Sequence, residues 1–516
     1  MGYLPMELVS KIVGFLPETG LASYATISKV WQEPVERRTF AHLRISSDFN
    51  TMTEFSRLVF PHRRTYLRTL DFTVVLLFAE AKITYAQPQY WYLPDIITPH
   101  IRRLFKVLEL GDRLDANDGK RTGGHEGITL TLGCIKPAVP QEDGPLRSAV
   151  PFLRDMALEN MTSHTLFPAR TDLNSPMFPI YMLDSGHGIP MVRCVSRLVY
   201  RMIHHSEHIA PEGRSLAAGA AIILAKQLPC MRRLDIIASI DLWWQDGTLM
   251  PWYDTSMNYF RNKGQFIEAL VDAAYLSNTQ CMEVSLSMEN SMDDGCVLLH
   301  REDPGFFVQS MNSMSNAVHH LSHNLVSLDI SGAFNRSLFW PDNYHPSTFP
   351  ESPWPRLRSF HVKLLNWSPG NDFYFEAVDP SWYHNVPKEN QVQPLFWSWA
   401  KALTAMPAIE QATVKCTLPY DARPESANRD WLVGFQAPGS NLDPSRHAWE
   451  ANVRSDLVKS PRLILKTRGW RPRATTMELL CEAANKRFPG KDLVELEVGD
   501  DENVTLANAY HTTSAP

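Results

Sequence analysis

Glycine is sparse in this chain of 516 residues, at 25, and cysteine sparser still, at seven. The cysteines (Cys134, Cys194, Cys230, Cys281, Cys296, Cys416 and Cys481) never fall in a C-x-x-C pair. An odd, scattered set excludes a disulfide framework or a zinc clip and predicts buried thiols in a reducing compartment. No P-loop and no G-x-G-x-x-G occurs, so no glycine-rich turn cradles a phosphate at a helix start. No G-x-S-x-G nucleophile elbow occurs either. Positive charge is not in excess: Lys plus Arg is 50 against 56 for Asp plus Glu, a net −6. This excludes a general polyanion binder, whose affinity comes from counterions released by clustered Lys and Arg, so nucleic acid is not an expected partner. Long apolar runs are missing too. The most hydrophobic stretch, Phe72 to Ala79, falls far short of the ~20 residues that span a bilayer. The opening MGYLPMELVSKIV carries Pro5 and Glu7 where a secretory signal has a basic start and an apolar core. The expectation is a soluble protein, cytoplasmic and/or nuclear, with no membrane partner.

What is present describes a folded chain. Apolar residues make up 44% and charged residues 21%, which excludes wholesale disorder. Proline is frequent at 37 and tryptophan generous at 14, predicting stiff loops and large aromatic anchors. The length predicts about three domains, or one elongated array that grows by stacking.

The first 45 residues differ from the rest. Pro5 suits the first turn of a helix, where its missing N–H costs nothing. Leu8, Val9, Ile12, Val13 and Leu16 then recur at helical spacing, and Pro17 and Gly20 end the helix. A second short helix is predicted over Leu21 to Ile27. Ser28 is the candidate N-cap of a third, carrying Trp31 and Val35. Pro34 predicts that this helix starts at Pro34, because an interior proline costs about 3 kcal/mol. Three such helices enclose little volume, so part of the apolar stripe needs a cover, from the rest of the chain or from another protein.

LPMELVSKIVGFLPETGLASYATISKVWQEPVE resembles an F-box: Leu4-Pro5, an acidic residue shortly after, aliphatics at Ile12 and Leu16, then Ser28 and Trp31. The run through Phe40 to Ile45 is similar to the fungal F-box proteins, and the resemblance covers about a tenth of the chain. It implies that residues 1–45 dock on the small adaptor of an SCF-type cullin-RING ubiquitin ligase and, through it, on the cullin. Leu4, Pro5, Leu8, Ile12 and Leu16 would form that interface, with Trp31 and Val35 supporting it. The remainder would hold a protein substrate and supply proximity rather than bond chemistry. No catalytic residue, cofactor or metal is implied.

Over residues 46–500 the pattern apolar-x-x-apolar-x-apolar recurs, at Leu67-Leu70-Phe72, Met231-Leu234-Ile236, Leu325-Leu328-Ile330, Leu357-Phe360-Val362, Ile409-Ala412-Val414 and Leu493-Leu496-Val498. The last two positions alternate as a half-buried strand does. Helical stretches precede several copies: Leu216 to Leu228, Asn316 to Leu321, Trp397 to Met406 and Met477 to Phe488. Helix, short turn and strand in one order resemble a degenerate leucine-rich-repeat solenoid with irregular spacing. A plain α/β domain would share the pattern. Either way the predicted class is α/β with parallel strands and helices outside: a three-helix F-box followed by an irregular repeat region. A non-enzymatic scaffold, its N-terminal helices merely capping the array, is the competing reading.

Loop insertions are predicted at about 112–127, 339–354 and 421–444, and a flexible tail over 501–516. The aromatic segments (Trp243, Trp244 and Trp252; Phe373, Tyr374, Trp382, Tyr383 and Trp399) are predicted to be mostly core. Other clusters are read as structural. DSGHG, from Asp184 to Gly188, is a turn, since triad members meet through space. His204, His205 and His208, and likewise His319, His320 and His323, do not match H-E-x-x-H. The basic run Arg462, Lys466, Arg468, Arg471 and Arg473 around Trp470 reads as a solvated face that the nearby acidic segment neutralises.

Overall fold

The structure is a computed structural model. It describes residues 4–59, 63–76, 94–118, 127–137, 180–181, 188–202, 214–216, 218–239, 266–267, 269–270, 281–289, 304–341, 353–365, 374–379, 382–418, 430–440, 448–499 and 503–510. The fold is α/β, in two compact units: Met1–Ala238 with Trp243–Asn258, and Ser239–Leu242 with Tyr259–Pro516.

The first unit opens with α1 (Met6–Phe15), a 3₁₀ turn (Leu21–Thr26) and α2 (Lys29–Thr39). There follow β1 (His42–Ser46), α3 (Phe49–Val59), β2 (Thr69–Leu76), α4 (Pro94–Asp118), β3 (Ile128–Pro137), β4 (Ile180–Tyr181), β5 (Val195–Met202), β6 (Arg214–Leu216), α5 (Ala218–Ala225) and β7 (Arg233–Ser239). β1, β2, β3, β5 and β7 lie side by side in chain order and pair in parallel. Among these five the order never reverses, each strand taking the next place by a crossover, while β4 and β6 lie off this path, β6 pairing antiparallel with the end of β3 and parallel with β4. One register row is all leucine: Leu43, Leu70, Leu130, Leu198 and Leu234.

The second unit holds β8 (Glu283–Glu289), α6 (Pro304–Ser322), β9 (Ser327–Gly332), β10 (Ser359–Leu364), a separate antiparallel hairpin of β11 (Phe375–Asp379) and β12 (Trp382–Pro387), and α7 (Glu389–Thr404). It continues with β13 (Gln411–Thr417), β14 (Asp430–Gln436), β15 (Arg462–Lys466), α8 (Ala474–Arg487), β16 (Leu493–Val498) and β17 (Val504–Tyr510). β8, β9, β10 and β13 again run parallel and in order. β14 and β17 are antiparallel to their neighbours, so the sheet is mixed.

Every residue of the six sequence copies is buried. Each copy starts with the same backbone contact. The N–H groups of Val326 and Ser327 both donate to the Met282 carbonyl (2.7 and 3.0 Å), and those of Arg358 and Ser359 to that of Val326 (2.8 and 3.2 Å). Glu410 and Gln411 donate to Arg358 (2.8 and 3.0 Å), and Arg68 and Thr69 to Ala41 (2.8 and 2.9 Å). Arg232 donates to Ser196 (2.7 Å). In these five the accepting carbonyl comes one residue after an apolar position; in the sixth, Val494 donates to the Pro461 carbonyl (2.9 Å), which follows Ser460. In the five it therefore marks copies that the sequence reading passed over: Phe40-Leu43-Ile45, Val195-Leu198-Tyr200 and Cys281-Val284-Leu286.

In the β3 copy that first position is Gly127, where the backbones approach closely. An added Cβ would lie 2.7 Å from Ser196 Cβ and 2.8 Å from the Cys194 carbonyl oxygen. Gly127→Ala is expected to destabilise the first unit by about 1–3 kcal/mol through overpacking, read as a lowered denaturation midpoint.

Several expectations need correction. α2 spans Pro34, which is buried within it. The helix starts at Lys29, Trp31 and Gln32 donating to the Ser28 carbonyl (3.0 and 3.1 Å), although the Ser28 side chain makes no cap bond. One lost backbone bond is offset by packing the proline ring inside. The loop expected from residue 112 is helical as far as Asp118, where α4 ends. Residues 430–436, expected in a loop, are β14, and residues 504–510 of the expected tail are β17.

Candidate functional site

The N-terminal helices have a small core of their own. Val9 and Val13 on α1, Leu21 on the 3₁₀ turn and Val35 on α2 are buried together. Leu16, Tyr24, Ala25, Val30 and Trp31 pack against them, half-buried. Tyr24 and Trp31 stack with ring centroids 6.5 Å apart. Gly20, at φ +79°, makes the turn into the 3₁₀ segment, a left-handed backbone that glycine adopts freely. The Arg38 guanidinium donates to the Leu16 carbonyl (2.7 Å) and to that of Val13. It thereby helps cap the carbonyls at the end of α1, where the Leu16 N–H also donates to Val13 (3.2 Å). Arg63 pairs with Glu36 at 2.8 Å and lies over the Phe40 ring, tying α2 to the short 3₁₀ turn Arg63–Tyr66.

This core takes only one side of α1. Val9 and Val13, four residues apart, face in. Leu4, Leu8 and Ile12, also four apart, face out with Phe15 beyond them. Their exposures are 48%, 46%, 39% and 91%. Residues at this spacing form one row along a helix, so Leu8, Ile12 and Phe15 make an apolar ridge on α1, with Leu4 exposed just before the helix begins. Met6 and Ile27 add to the exposed apolar surface. Fully burying such a side chain is worth about 1.5–3 kcal/mol, and each of these forgoes the share that its exposure leaves in water. A contiguous apolar patch on a folded surface marks an interaction site.

The residues expected at the adaptor interface therefore divide. Leu4, Pro5, Leu8 and Ile12 are exposed. Leu16 and Trp31 are half-buried against the core, and Val35 is core. Phe15 is the most exposed large apolar residue described, and the sequence reading missed it. It lies three residues past Ile12 and could have been found by extending the row at helical spacing.

The other clusters are occupied by the fold. Arg462 and Lys466 are buried. Arg471 pairs with Glu495 and Glu497 (3.2 and 3.3 Å), and Arg473 with Glu389 (3.4 Å). Trp470 Nε1–H donates to Glu389 at 2.8 Å. Arg471 is thus neutralised by the acidic segment expected to do so and Arg473 by Glu389, while the solvated face expected for the run is corrected at Arg462 and Lys466, which the sheet buries.

His319, His320 and His323 lie at the end of α6, with Trp354 edge-on to His319 and His323 at 5.0 and 5.6 Å. Burial holds the His319 imidazolium pKa down at about 3 and that of His323 at about 4. Among the described residues no group of three or more His, Cys, Asp or Glu could hold a metal. No described helix is long and apolar enough to cross a membrane. His204, His205, His208 and residues 184–187, like Trp243, Trp244, Trp252 and Phe373, lie outside the described residues.

A comparison of the chain with protein-family models and with curated proteins returns no match.

Proposed function

We propose that the chain is a non-catalytic substrate receptor of an SCF-type cullin-RING ubiquitin ligase. The N-terminal helices bind the adaptor, and the repeat region holds a protein substrate. The observation that carries this reading is the uncovered ridge of Leu4, Leu8, Ile12 and Phe15, beside an inward row (Val9, Val13) that already completes the local core. A helix that only capped the parallel sheet would turn its larger row inward. The repeated strand-start contact and the sequential parallel strands support stacked repeats as the second half of the reading. Transfer chemistry would reside in the other subunits, and this chain would raise the local concentration of the target.

The test is adaptor capture by the full chain. Leu8→Asp and Ile12→Asp are each expected to weaken it at least about 100-fold, since a buried unpaired charge costs several kcal/mol, with the melting temperature of the free protein unchanged. Val13→Asp should instead unfold the helices. Loss of fold in Leu8→Asp and Ile12→Asp, or adaptor capture unchanged by them, would count against the receptor reading.

A further inference from the structure

We propose that Trp340 and Trp397 form a binding site for quaternary ammonium groups, with Lys401 as its resident occupant. This does not rest on the ligase reading.

Trp397 and Lys401 sit one turn apart on α7. From Leu395 to Ala400 every other residue is buried, yet the large indole of Trp397 is 40% exposed. Trp340 comes shortly after the 3₁₀ turn Arg336–Leu338 and approaches from the loop after β9. Its place is fixed from behind. Its ring packs on the fully buried Trp354, centroids 6.5 Å apart, and its backbone N–H donates to the Arg336 carbonyl at 3.0 Å. The Lys401 ammonium lies 4.5 Å from the Trp340 ring centroid and 5.0 Å from that of Trp397. Two indole faces therefore converge on one cation.

That geometry suits a trimethylammonium group better than the ammonium it now holds. Attraction between a cation and an indole face weakens as the cation retains its water. A primary ammonium is compact and strongly hydrated. A quaternary ammonium donates no hydrogen bonds, is weakly hydrated, and presents methyl groups that also gain from leaving water. Lys401 is carried on a flexible four-carbon stem, so it can swing away when a better cation arrives.

Saturation-transfer NMR with tetramethylammonium chloride and the full-length protein tests this. The wild-type protein should transfer saturation to the methyl resonance. Lys401→Ala, which removes the competitor, should bind about three- to tenfold more tightly, in keeping with the strength of a cation–π contact. Trp397→Ala should abolish the signal with its melting temperature nearly kept, because the side chain is half in water. Trp397→Phe should restore part of it. Displacement by a trimethyllysine peptide would identify a modified protein as the source of the group, and displacement by phosphocholine a lipid headgroup. Equal transfer in Trp397→Ala and wild type, or no transfer in Lys401→Ala, would overturn the assignment.

Discussion

Glu450→Ala is expected to lower the stability of the second unit by about 3–5 kcal/mol, enough to unfold a marginal domain. Glu450 and Arg462 are an ion pair whose side chains are 3% and 0% exposed, with Nη1 and Oε1 3.5 Å apart. The Gln436 amide donates to both carboxylate oxygens of Glu450, at 3.3 and 3.2 Å. Arg462 also donates to the Ser440 carbonyl. Both side chains are buried, so removing one takes a counter-charge from the other where water cannot readily replace it. Burial already holds the Arg462 pKa below its ordinary range, with Glu450 opposing that shift. Replacing both with apolar residues of similar volume, as in Glu450→Leu with Arg462→Met, should recover most of the loss, because the burial penalty of both charges disappears together. Urea unfolding of the two single variants and the double variant measures this coupling. A single-variant loss below about 1 kcal/mol would show that water reaches the pair.

The second large effect is acid sensitivity. His319 and His323 are held neutral by burial, at about 3 and about 4, against about 6.5 in an unfolded chain. A histidine with a depressed folded pKa binds its proton more readily when unfolded. Its stabilising contribution is therefore complete above about pH 6.5 and declines as pH falls toward the folded value. At about 1.4 kcal/mol per pH unit, His319 alone accounts for about 4–5 kcal/mol by pH 3, and roughly 2 kcal/mol at pH 5.

The facing groups do not relieve this. His323, just past the end of the helix, and His320, on it, repel a charge on His319. Trp354 presents its ring, and its Nε1–H donates to Ser322 Oγ at 2.6 Å. The Leu338 carbonyl accepts from His319 Nδ1 at 3.0 Å, a contact that favours the charged form but is outweighed by burial. Melting temperatures from pH 7.5 to 4 should fall, and His319→Leu should flatten the slope even if it lowers the value at pH 7.5. An unchanged slope in that variant would place the acid sensitivity elsewhere.

The sequence made the strands of the repeat legible where an apolar pair alternates with polar residues, as Leu328-x-Ile330 and Phe360-x-Val362 do. It concealed those lacking that signature. In β14, residues 431–436 are all buried, so nothing alternates. β3 begins at a glycine, where a close backbone approach replaces the expected apolar side chain. β17 is mostly exposed on both faces, and its composition matches a tail as well as a strand. At the candidate site the helical stripe was readable but not its division. Leu8, Val9, Ile12, Val13 and Leu16 are equally apolar on paper, and only packing against Leu21 and Val35 determines which of them turn inward.

The doubled hydrogen bond at the starts of β2, β9, β10 and β13 carries a consequence for how such a chain can change. Val326 latches Arg358 and Ser359, and Arg358 in turn latches Glu410 and Gln411, so registration is set where a strand begins. Whatever emerges beyond its far end exerts little leverage on the next rung. A lineage could splice long, unrelated stretches after one strand and prune them after another while the framework kept its spacing. The uneven distances between copies would then be a record of tolerated grafts.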